Sequence, residues 1–354
     1  MRKRRRGSGT NVIARVSREL RTKLRMGVFA AGLLIALGAC VCAHPVDPGV
    51  VSSAAAQVAS THAAAVSGVA LFAAPTRLDR IGRIVAPVMI NGQGPFRFII
   101  DSGASHSTVT PRLASLLGLD PAASELVLVD GVTGTAQLPS VPIAALQAGS
   151  LEIRDTQFPV VAAPVLGDVD GMLGVAGLRQ DRIHVDFQRD RVTISHSYRQ
   201  GAPSGFAMIK AERIAGGLLA IPAKISGVGV EAIIDTGSPR TLGNTALRAA
   251  LQGRRSHGRR PAATATVYGA TAQTCQGWVE DAPPIFLGSV VVARLSVIYG
   301  DFHIFRVWNL EQRPTLIIGM DVIGTMRALA IDFKESKVYL DAGNRDATAI
   351  RAAL

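Results

Sequence analysis

Cysteine is scarce in this chain, with three residues in 354. Two of them, Cys40 and Cys42, lie two positions apart near the N-terminus, so the chain holds neither a disulfide framework nor a four-thiolate metal site. The fold must therefore depend on the packing of apolar side chains, for which the chain is long enough. No metal and no cofactor are expected.

Acidic residues are almost missing from the first 25 positions, where ten Lys or Arg accompany the single Glu19. This segment carries +9 of the net charge of +12, which leaves +3 (12 minus 9) for the remaining residues. The basic character of the chain is therefore mostly a property of its N-terminus. Binding of nucleic acid by the folded part is not expected.

Several motifs of common hydrolases are also missing. The sequence contains no His-Glu-x-x-His, no Gly-x-Ser-x-Gly and no Walker loop. These absences exclude the zinc-dependent, serine-dependent and nucleotide-dependent classes that carry those motifs.

The longest apolar run near the N-terminus, residues 26–39, has 14 residues and is shorter than the ~20 that a membrane span needs. A basic segment followed by a short apolar run and small residues is typical of an export signal, here residues 1–43. Three outcomes stay open: lipidation of Cys40 in a Leu-Gly-Ala-Cys site that resembles a bacterial lipobox, cleavage after Ala43, or an uncleaved anchor. The expected location is periplasmic or membrane-anchored through the N-terminus.

Residues 44–75 are rich in Ala, Ser and Val and carry little charge. This composition predicts a stalk or a propeptide that builds no core. A chain of ~32 such residues would hold the rest of the protein roughly 30 Å from a membrane.

The rest of the chain contains one pattern twice: an apolar strand, a short turn, a second apolar strand and an Asp-Ser/Thr-Gly triplet. The two copies run from Ile84 through Asn91-Gly92 to Asp101-Ser102-Gly103 and from Leu219 through Ser226-Gly227 to Asp235-Thr236-Gly237. Both are predicted β-hairpins. The spacing from Pro87 to Asp101 is 14 residues and that from Pro222 to Asp235 is 13, which assigns one extra residue to the first turn.

A short helix is predicted after each triplet. Thr110 and Pro111 provide a cap and a first helical residue for one, which ends at Gly118, and Asn244 and Gly253 bracket the other. Farther along, each copy has a hydrophobic-hydrophobic-Gly segment, which ends in Leu173-Gly174 and in Ile318-Gly319.

In these residues the chain resembles the aspartic proteases, specifically bacterial retropepsin-like members that carry two copies in one chain. The resemblance covers about residues 81–342 and implies a mostly β, pepsin-like fold of two β-barrel lobes with the active site between them. It also implies that Leu173-Gly174 and Ile318-Gly319 pack beneath the triplets. Ser102 and Thr236 would hydrogen-bond across the lobe junction, while Gly103 and Gly237 would allow a close approach of the two turns.

Asp101 and Asp235 are the predicted catalytic residues. Two carboxyl groups within hydrogen-bond reach cannot both ionise, so the pair should share one proton. The ionised member would take a proton from a water that attacks the peptide carbonyl, and the protonated member would donate to the carbonyl oxygen. The expected substrate is an extended peptide or protein segment.

The resemblance also implies a flap over the substrate in each copy. Gly131 and Gly134 mark the first, and Tyr268 and Gly269 mark the second. The pepsin pattern has its flap Tyr in the first copy, so whether Tyr268 covers the dyad or packs on its own lobe stays open. His106 is expected to be a surface histidine near the cleft.

The sequence thus predicts an exported, monomeric aspartic endopeptidase. The predicted divisions are the N-terminal lobe at 76–200, the linker at 201–211, the C-terminal lobe at 212–342 and a tail at 343–354. Two alternatives are a catalytically idle peptide-binding module and a structural envelope lipoprotein of the same fold.

Overall fold

The computed structural model describes residues 82–148, 151–162, 164–198, 201–253 and 263–343, together with the backbone of three N-terminal strands. The strands are β1 (Val12–Arg15), β2 (Ala70–Pro75), β3 (Arg77–Leu78), β4 (Ile84–Ile90), β5 (Gln93–Ile100), β6 (Thr108–Val109), β7 (Glu125–Gly131), β8 (Gly134–Ala148), β9 (Leu151–Pro159), β10 (Gly171–Leu173), β11 (Asp181–Asp186), β12 (Arg191–His196), β13 (Ala207–Lys210), β14 (Glu212–Arg213), β15 (Leu219–Ile225), β16 (Val228–Ile234), β17 (Leu242–Asn244), β18 (Ala263–Tyr268), β19 (Thr274–Ala282), β20 (Ile285–Leu287), β21 (Val290–Ala293), β22 (Leu295–Gly300), β23 (Thr315–Ile318), β24 (Ala328–Asp332) and β25 (Lys337–Asp341). The helices are α1 (Pro111–Leu116), α2 (Thr245–Gln252), α3 (His303–Val307) and α4 (Met320–Ile323).

The strands form three sheets, and their arrangement repeats the sequence duplication. An eight-stranded sheet builds the N-terminal lobe, with the order β6-β10-β5-β4-β8-β7 and with β3 and β9 paired to β4 and β8. An eleven-stranded sheet containing β15, β16, β17 and β23 builds the C-terminal lobe. A six-stranded sheet, β13-β25-β24-β11-β12-β2, takes three strands from each half. The protein is therefore a mostly β, two-lobed duplicated fold, as the sequence predicts.

The strand that leads to each Asp lies in the middle of its sheet. The end of β5 pairs with β4 on one side and in parallel with β10 on the other, while β16 is likewise flanked by β15 and β23. Such a strand is covered on both faces, which is why Ile99-Ile100 and Ile233-Ile234 form apolar runs without alternation. Burial of each such side chain contributes about 1.5–3 kcal/mol, so the position of each Asp is tied to the core.

The helix boundaries confirm the capping signals in the sequence. The Thr110 hydroxyl accepts a hydrogen bond from the Leu113 backbone N–H at the start of α1, and Gly118 follows its end with a positive φ of 70°. The Asn244 side chain accepts from the Leu247 N–H at the start of α2, which ends at Gly253.

The extra residue of the first hairpin lies in a strand and not in the turn, contrary to the sequence prediction. Both turns consist of two residues with positive φ, Asn91-Gly92 and Ser226-Gly227. The register of β4 on β5 instead shifts between Val88 and Ile90. Two-residue turns of this kind match the twist of a hairpin, so the insertion is accommodated more easily as a bulge.

The structure also corrects the predicted end of the stalk. Ala70–Pro75 is strand β2, which pairs with Arg191–Ser195 at the outer edge of β12. The predicted linker similarly contains β13, which pairs with β25 at the opposite edge of the same sheet. An edge strand offers unpaired backbone N–H and C=O groups, and a neighbouring segment can pair with them whatever its side chains are. The composition of the segment therefore does not predict β2.

Residues 12–15 of the N-terminal segment form a strand. Val12–Arg15 runs parallel to β21 at the edge of the C-terminal-lobe sheet, within the stretch predicted as an export signal. Residues 16–69, including Cys40 and both predicted cleavage sites, lie outside the described residues. None of the helices that are described is long and apolar enough to cross a membrane.

Candidate active site

The two Asp turns occupy equivalent positions in the two lobes. The Asp101 N–H donates to the Leu173 carbonyl, and the Asp235 N–H donates to the Ile318 carbonyl, each at 3.0 Å. The hydrophobic-hydrophobic-Gly segments therefore lie beside the Asp turns. Asp101 and Asp235 are both 8% exposed and line one cavity of about 620 Å³.

The glycines of the triplets let the two carboxyl groups meet. A Cβ on Gly103 would overlap the carboxyl group of Asp235, and a Cβ on Gly237 would overlap that of Asp101. Each carboxylate also accepts a backbone hydrogen bond in its own turn, from Gly103 N–H at 2.8 Å and from Gly237 N–H at 2.9 Å. Only glycine allows this approach, because any other residue would place a carbon where the partner carboxyl lies.

Four hydrogen bonds of Ser102 and Thr236 link the lobes directly beneath the dyad. The Ser102 N–H donates to Thr236 Oγ1 at 3.0 Å, and the Thr236 N–H donates to Ser102 Oγ at 3.1 Å. The Ser102 hydroxyl donates to the Ile234 carbonyl and the Thr236 hydroxyl to the Ile100 carbonyl, both at 2.7 Å. This reciprocal network is buried and fixes the distance between the two turns.

Burial raises the pKa of both dyad carboxyl groups, and the partner carboxyl group acts on the two in opposite directions. For Asp101 the raising effect of burial is opposed by the hydrogen bonds from Gly103 and Asp235 and by the positive charge of Arg83. For Asp235 burial is again the largest cause, and the charge of Asp101 raises the pKa further, well above its ordinary value. The two carboxyl groups are therefore not both ionised at the same time and share one proton.

The glycines of the supporting segments pack against the loops that follow each Asp. A Cβ on Gly174 would lie 2.6 Å from the His106 carbonyl oxygen, and a Cβ on Gly319 would lie 2.6 Å from that of Arg240. The Gly174 N–H donates to Ser107 Oγ at 3.1 Å, as the Gly319 N–H does to Thr241 Oγ1 at 3.2 Å. The two lobes thus support the dyad with the same contacts.

The predicted flaps are two hairpins, β7–β8 and β18–β19, whose tips touch each other over the cavity. Thr133 Oγ1 and Thr271 Oγ1 are 3.3 Å apart, and Gln273 Nε2 donates to the Thr135 carbonyl at 2.9 Å. Gly131 and Gly134 pair with each other at the end of the first hairpin, and a Cβ on Gly131 would be 3.3 Å from Thr271 Cγ2. A Cβ on Gly269 would be 2.7 Å from Thr133 Oγ1, so glycine permits the contact between the tips.

Tyr268 lines the cavity and is 58% exposed. Its side chain is therefore not buried in the core of its own lobe. Residues of both flaps line the cavity, Gly131 and Val132 from the first and Gly269 and Ala270 from the second.

Two residues that the sequence analysis did not single out also belong to the site. His303 Nε2 lies 2.8 Å from Thr135 Oγ1 and 3.1 Å from Asp130 Oδ1, so the C-terminal lobe contacts the first flap. Arg83 is 2% exposed and lines the cavity. A comparison of the two copies would have pointed to Arg83, because the corresponding residue of the second copy, immediately before β15, is Leu218.

The described part of the chain contains no group of three or more His, Cys, Asp or Glu side chains that could hold a metal ion. Cys275 is a free, partly exposed thiol on β19.

The two duplicated β lobes each contribute one Asp turn to a shared cavity. The fold and the site therefore define a class of two-lobed proteins in which one cavity holds a pair of carboxyl groups. The sequence comparison gives the same class: residues 86–176 and 221–322 match the family described as aspartyl protease. The chain belongs to this retropepsin-like aspartyl protease family. No curated protein matches the sequence.

Proposed function

We propose that this protein is an aspartic endopeptidase in which Asp101 and Asp235 activate a water molecule to hydrolyse peptide bonds. The observation that carries the proposal is the direct meeting of two buried carboxyl groups, one from each lobe, with glycine where any Cβ would separate them. Membership of the aspartyl protease family supports the same chemistry.

The mechanism follows from the unequal protonation of the pair. We assign the ionised role to Asp101, because the positive charge of Arg83 favours its carboxylate. Asp101 takes a proton from water while that water attacks the peptide carbonyl carbon. Asp235, as the protonated member, donates its proton to the carbonyl oxygen, so the tetrahedral intermediate carries no net oxyanion. Collapse of the intermediate returns a proton to the leaving amine and restores the shared proton, without a covalent intermediate.

The substrate would be an extended peptide segment. The flap strands β7 and β18 are edge strands of their sheets, so their outer backbone groups can pair with an added strand. A folded domain does not present such a segment. Flexible linkers should therefore be cut faster than compact domains of equal sequence, and equal rates would contradict strand addition.

The decisive experiment is the separate replacement Asp101→Asn and Asp235→Asn in the full chain. Each variant should lose hydrolysis of a quenched fluorescent peptide by at least about 10³-fold, because a single carboxyl group cannot act as acid and base together. Circular dichroism spectra that match the wild type serve as the folding control. Near-wild-type turnover by either variant would refute the dyad, and absence of hydrolysis by the wild type across pH 3–8 would favour an idle binding module.

We also propose that the protein is an exported monomer that acts on envelope proteins, with lipidation of Cys40 as the tether. The basic and apolar segments before Cys40 support export, and the presence of both Asp turns in one chain supports a monomer. Cys40→Ser should release the protein from the membrane fraction. A mature chain that begins unmodified at His44 would refute lipidation without affecting the protease assignment.

A further inference from the structure

The two ends of the cavity differ in charge although the lobes are related by an approximate two-fold rotation. Two pairs of equivalent positions show the difference. Arg83 precedes β4 as Leu218 precedes β15, and Arg240 follows Asp235 by five residues as His106 follows Asp101. Each pair therefore has one permanently charged member and one member that is apolar or weakly basic.

The packing at the lobe junction, together with the duplication, indicates that both arginines belong to the same end of the cavity. The turn Ala215–Gly217 of the C-terminal lobe, just before Leu218, packs against the N-terminal lobe, where a Cβ on Gly216 would overlap Ser105 Oγ. Ser105 is next to His106, so His106 and the turn that precedes Leu218, through Ala215 and Gly216, line one end of the cavity. The two-fold relation then brings Arg83 to the other end, which Pro239 and Arg240 line.

Arg240 is held in a defined orientation. Its Nε lies 3.3 Å from Asp321 Oδ2, and its Nη2 donates to the Ser296 carbonyl at 3.4 Å. Asp321 in turn accepts hydrogen bonds from the backbone N–H and the hydroxyl of Thr241, at 3.0 and 2.6 Å. The Arg240 side chain nevertheless stays 50% exposed, so the guanidinium can reach a ligand without losing its support.

Arg83 adds a second positive charge at this end, and its burial strengthens the interaction of that charge with other charges. It is 2% exposed, and interactions in a buried site are less screened by water than those at a surface. The other titratable side chains that line the cavity are the dyad, His106, Tyr268 and Asp130. Asp130 accepts from Thr135 at 2.6 Å and contacts His303, and among the described residues no acidic side chain besides the dyad and Asp130 lines the cavity.

We propose that the cleft selects peptides with a Glu or Asp side chain on the side of the scissile bond that faces Arg83 and Arg240, and an uncharged side chain on the opposite side. This proposal rests on the proposed endopeptidase function and names its substrate class. A carboxylate can accept charge-assisted hydrogen bonds from a guanidinium that is already oriented, whereas a basic side chain would be repelled.

The test compares peptides that differ only by Glu, Gln or Lys at each of four positions on either side of one cleavable bond. The full-length wild type should hydrolyse the Glu peptide with a kcat/KM about tenfold above that of the Gln peptide, at one or more positions on one side only. The Lys peptide should be the poorest at the same position. The Glu preference should shrink as ionic strength rises and as the pH falls below about 4.3, where Glu takes up a proton.

Matched variants assign the preference to the arginine end. Arg240→Gln should reduce the ratio of the Glu to the Gln rate to about one, whereas His106→Gln, at the two-fold related position, should leave that ratio unchanged. Arg83→Leu, which copies the residue of the second lobe, should also lower the ratio. A wild-type protein that cuts Glu and Gln peptides equally at every position would overturn the proposal, as would a preference that survives both arginine substitutions.

Peptide binding separates a failure of this proposal from a failure of the proposed function. Fluorescence anisotropy of the same labelled peptides with the Asp101→Asn, Asp235→Asn double variant measures selectivity without turnover. Tighter binding of the Glu peptide would support the charge preference even if no hydrolysis were found in the wild type. Equal binding of the Glu, Gln and Lys peptides would refute it even if hydrolysis were fast.

Discussion

Ser102 and Thr236 differ by one methyl group yet make the same two contacts across the lobe junction. Each hydroxyl accepts from the backbone N–H of the other residue and donates to a carbonyl of the opposite lobe, Ile234 or Ile100. Because both residues are buried, no water can replace a lost partner. The geometry of the dyad therefore depends on two small side chains that take no part in proton transfer.

Replacement of Ser102 tests this dependence. Ser102→Ala leaves the Thr236 N–H and the Ile234 carbonyl without their partner, so the free energy of unfolding should fall by about 2–4 kcal/mol. Denaturant titration measures the loss. Ser102→Thr, which copies the second lobe, is the control and should keep most of the stability. If the alanine variant were as stable as the threonine variant, the hydrogen bonds would have no energetic role.

The raised pKa values of the dyad make stability depend on pH. The folded state retains a proton on Asp235 at pH values where the unfolded chain, with an ordinary value near 3.8, has released it. The stabilisation from this proton is complete below the ordinary pKa and is lost as pH rises through the raised pKa. Asp235→Asn should therefore become more stable than the wild type as pH rises from 4 to 8, whereas the two should differ least at the acidic end.

Thermal unfolding at a series of pH values tests this sign. Other carboxyl groups contribute equally to both proteins, so the difference between their melting temperatures isolates the dyad. A difference that stayed constant with pH, or that grew toward acid, would contradict the predicted direction.

At the scale of single elements, the two short helices after the Asp turns differ in how firmly they are anchored. Thr110 makes one capping hydrogen bond to α1. Asn244 caps α2 and also accepts from the Thr315 N–H at 3.2 Å, while its amide donates to the Leu310 and Arg313 carbonyls at 2.9 and 2.6 Å. The same capping signal in the sequence therefore marks a local cap in one lobe and a junction of three segments in the other.

Alanine substitutions should show this difference. Thr110→Ala should cost about 1 kcal/mol, the usual value for a lost cap. Asn244→Ala leaves buried N–H and carbonyl groups unsatisfied and should cost about 3–5 kcal/mol. Urea unfolding of both variants gives the comparison. Equal losses would mean that Asn244 acts only as a cap.

At the scale of the whole molecule, the sheet between the lobes is completed by a segment from outside the duplicated core. Strand β2 pairs with β12 at one edge, as β13 pairs with β25 at the other, while β11 and β24 join the lobes in the middle. The protein therefore needs residues that a division based on composition assigned to a stalk and a linker.

Removal of β2 provides the test. The free energy of unfolding of a chain that begins at residue 76 should be about 2–5 kcal/mol lower than that of a chain that begins at residue 44, because the shorter chain loses the backbone hydrogen bonds to β12. It should also aggregate more readily, because an exposed strand edge pairs with other chains. Equal stability of the two chains would show that the β2–β12 ladder contributes little.

The parts of the site that the sequence predicted are those set by local pattern and by duplication. Asp101 and Asp235 each follow a buried apolar run, and each is followed by a helix with a recognisable cap, so their lobes could be outlined from the residues alone. His303 was not found, because its partners Thr135 and Asp130 lie 168 and 173 positions away and no local pattern encodes such a contact. Arg83 was not found because its signal is a difference between the two copies, Arg83 against Leu218, and not a local pattern.

The sequence by itself determined the duplication, the two hairpins, the helix caps and the triplets that carry the carboxyl groups. These features depend on residues that lie close together along the chain. The order of the residues therefore reveals their backbone preferences and their pattern of burial. The tertiary structure decided where the extra hairpin residue is placed, that Ala70–Pro75 joins the sheet between the lobes, and that two arginines share one end of the cavity. Those outcomes depend on which unpaired edge or which opposite lobe a segment meets, and that is settled only when the two halves pack together.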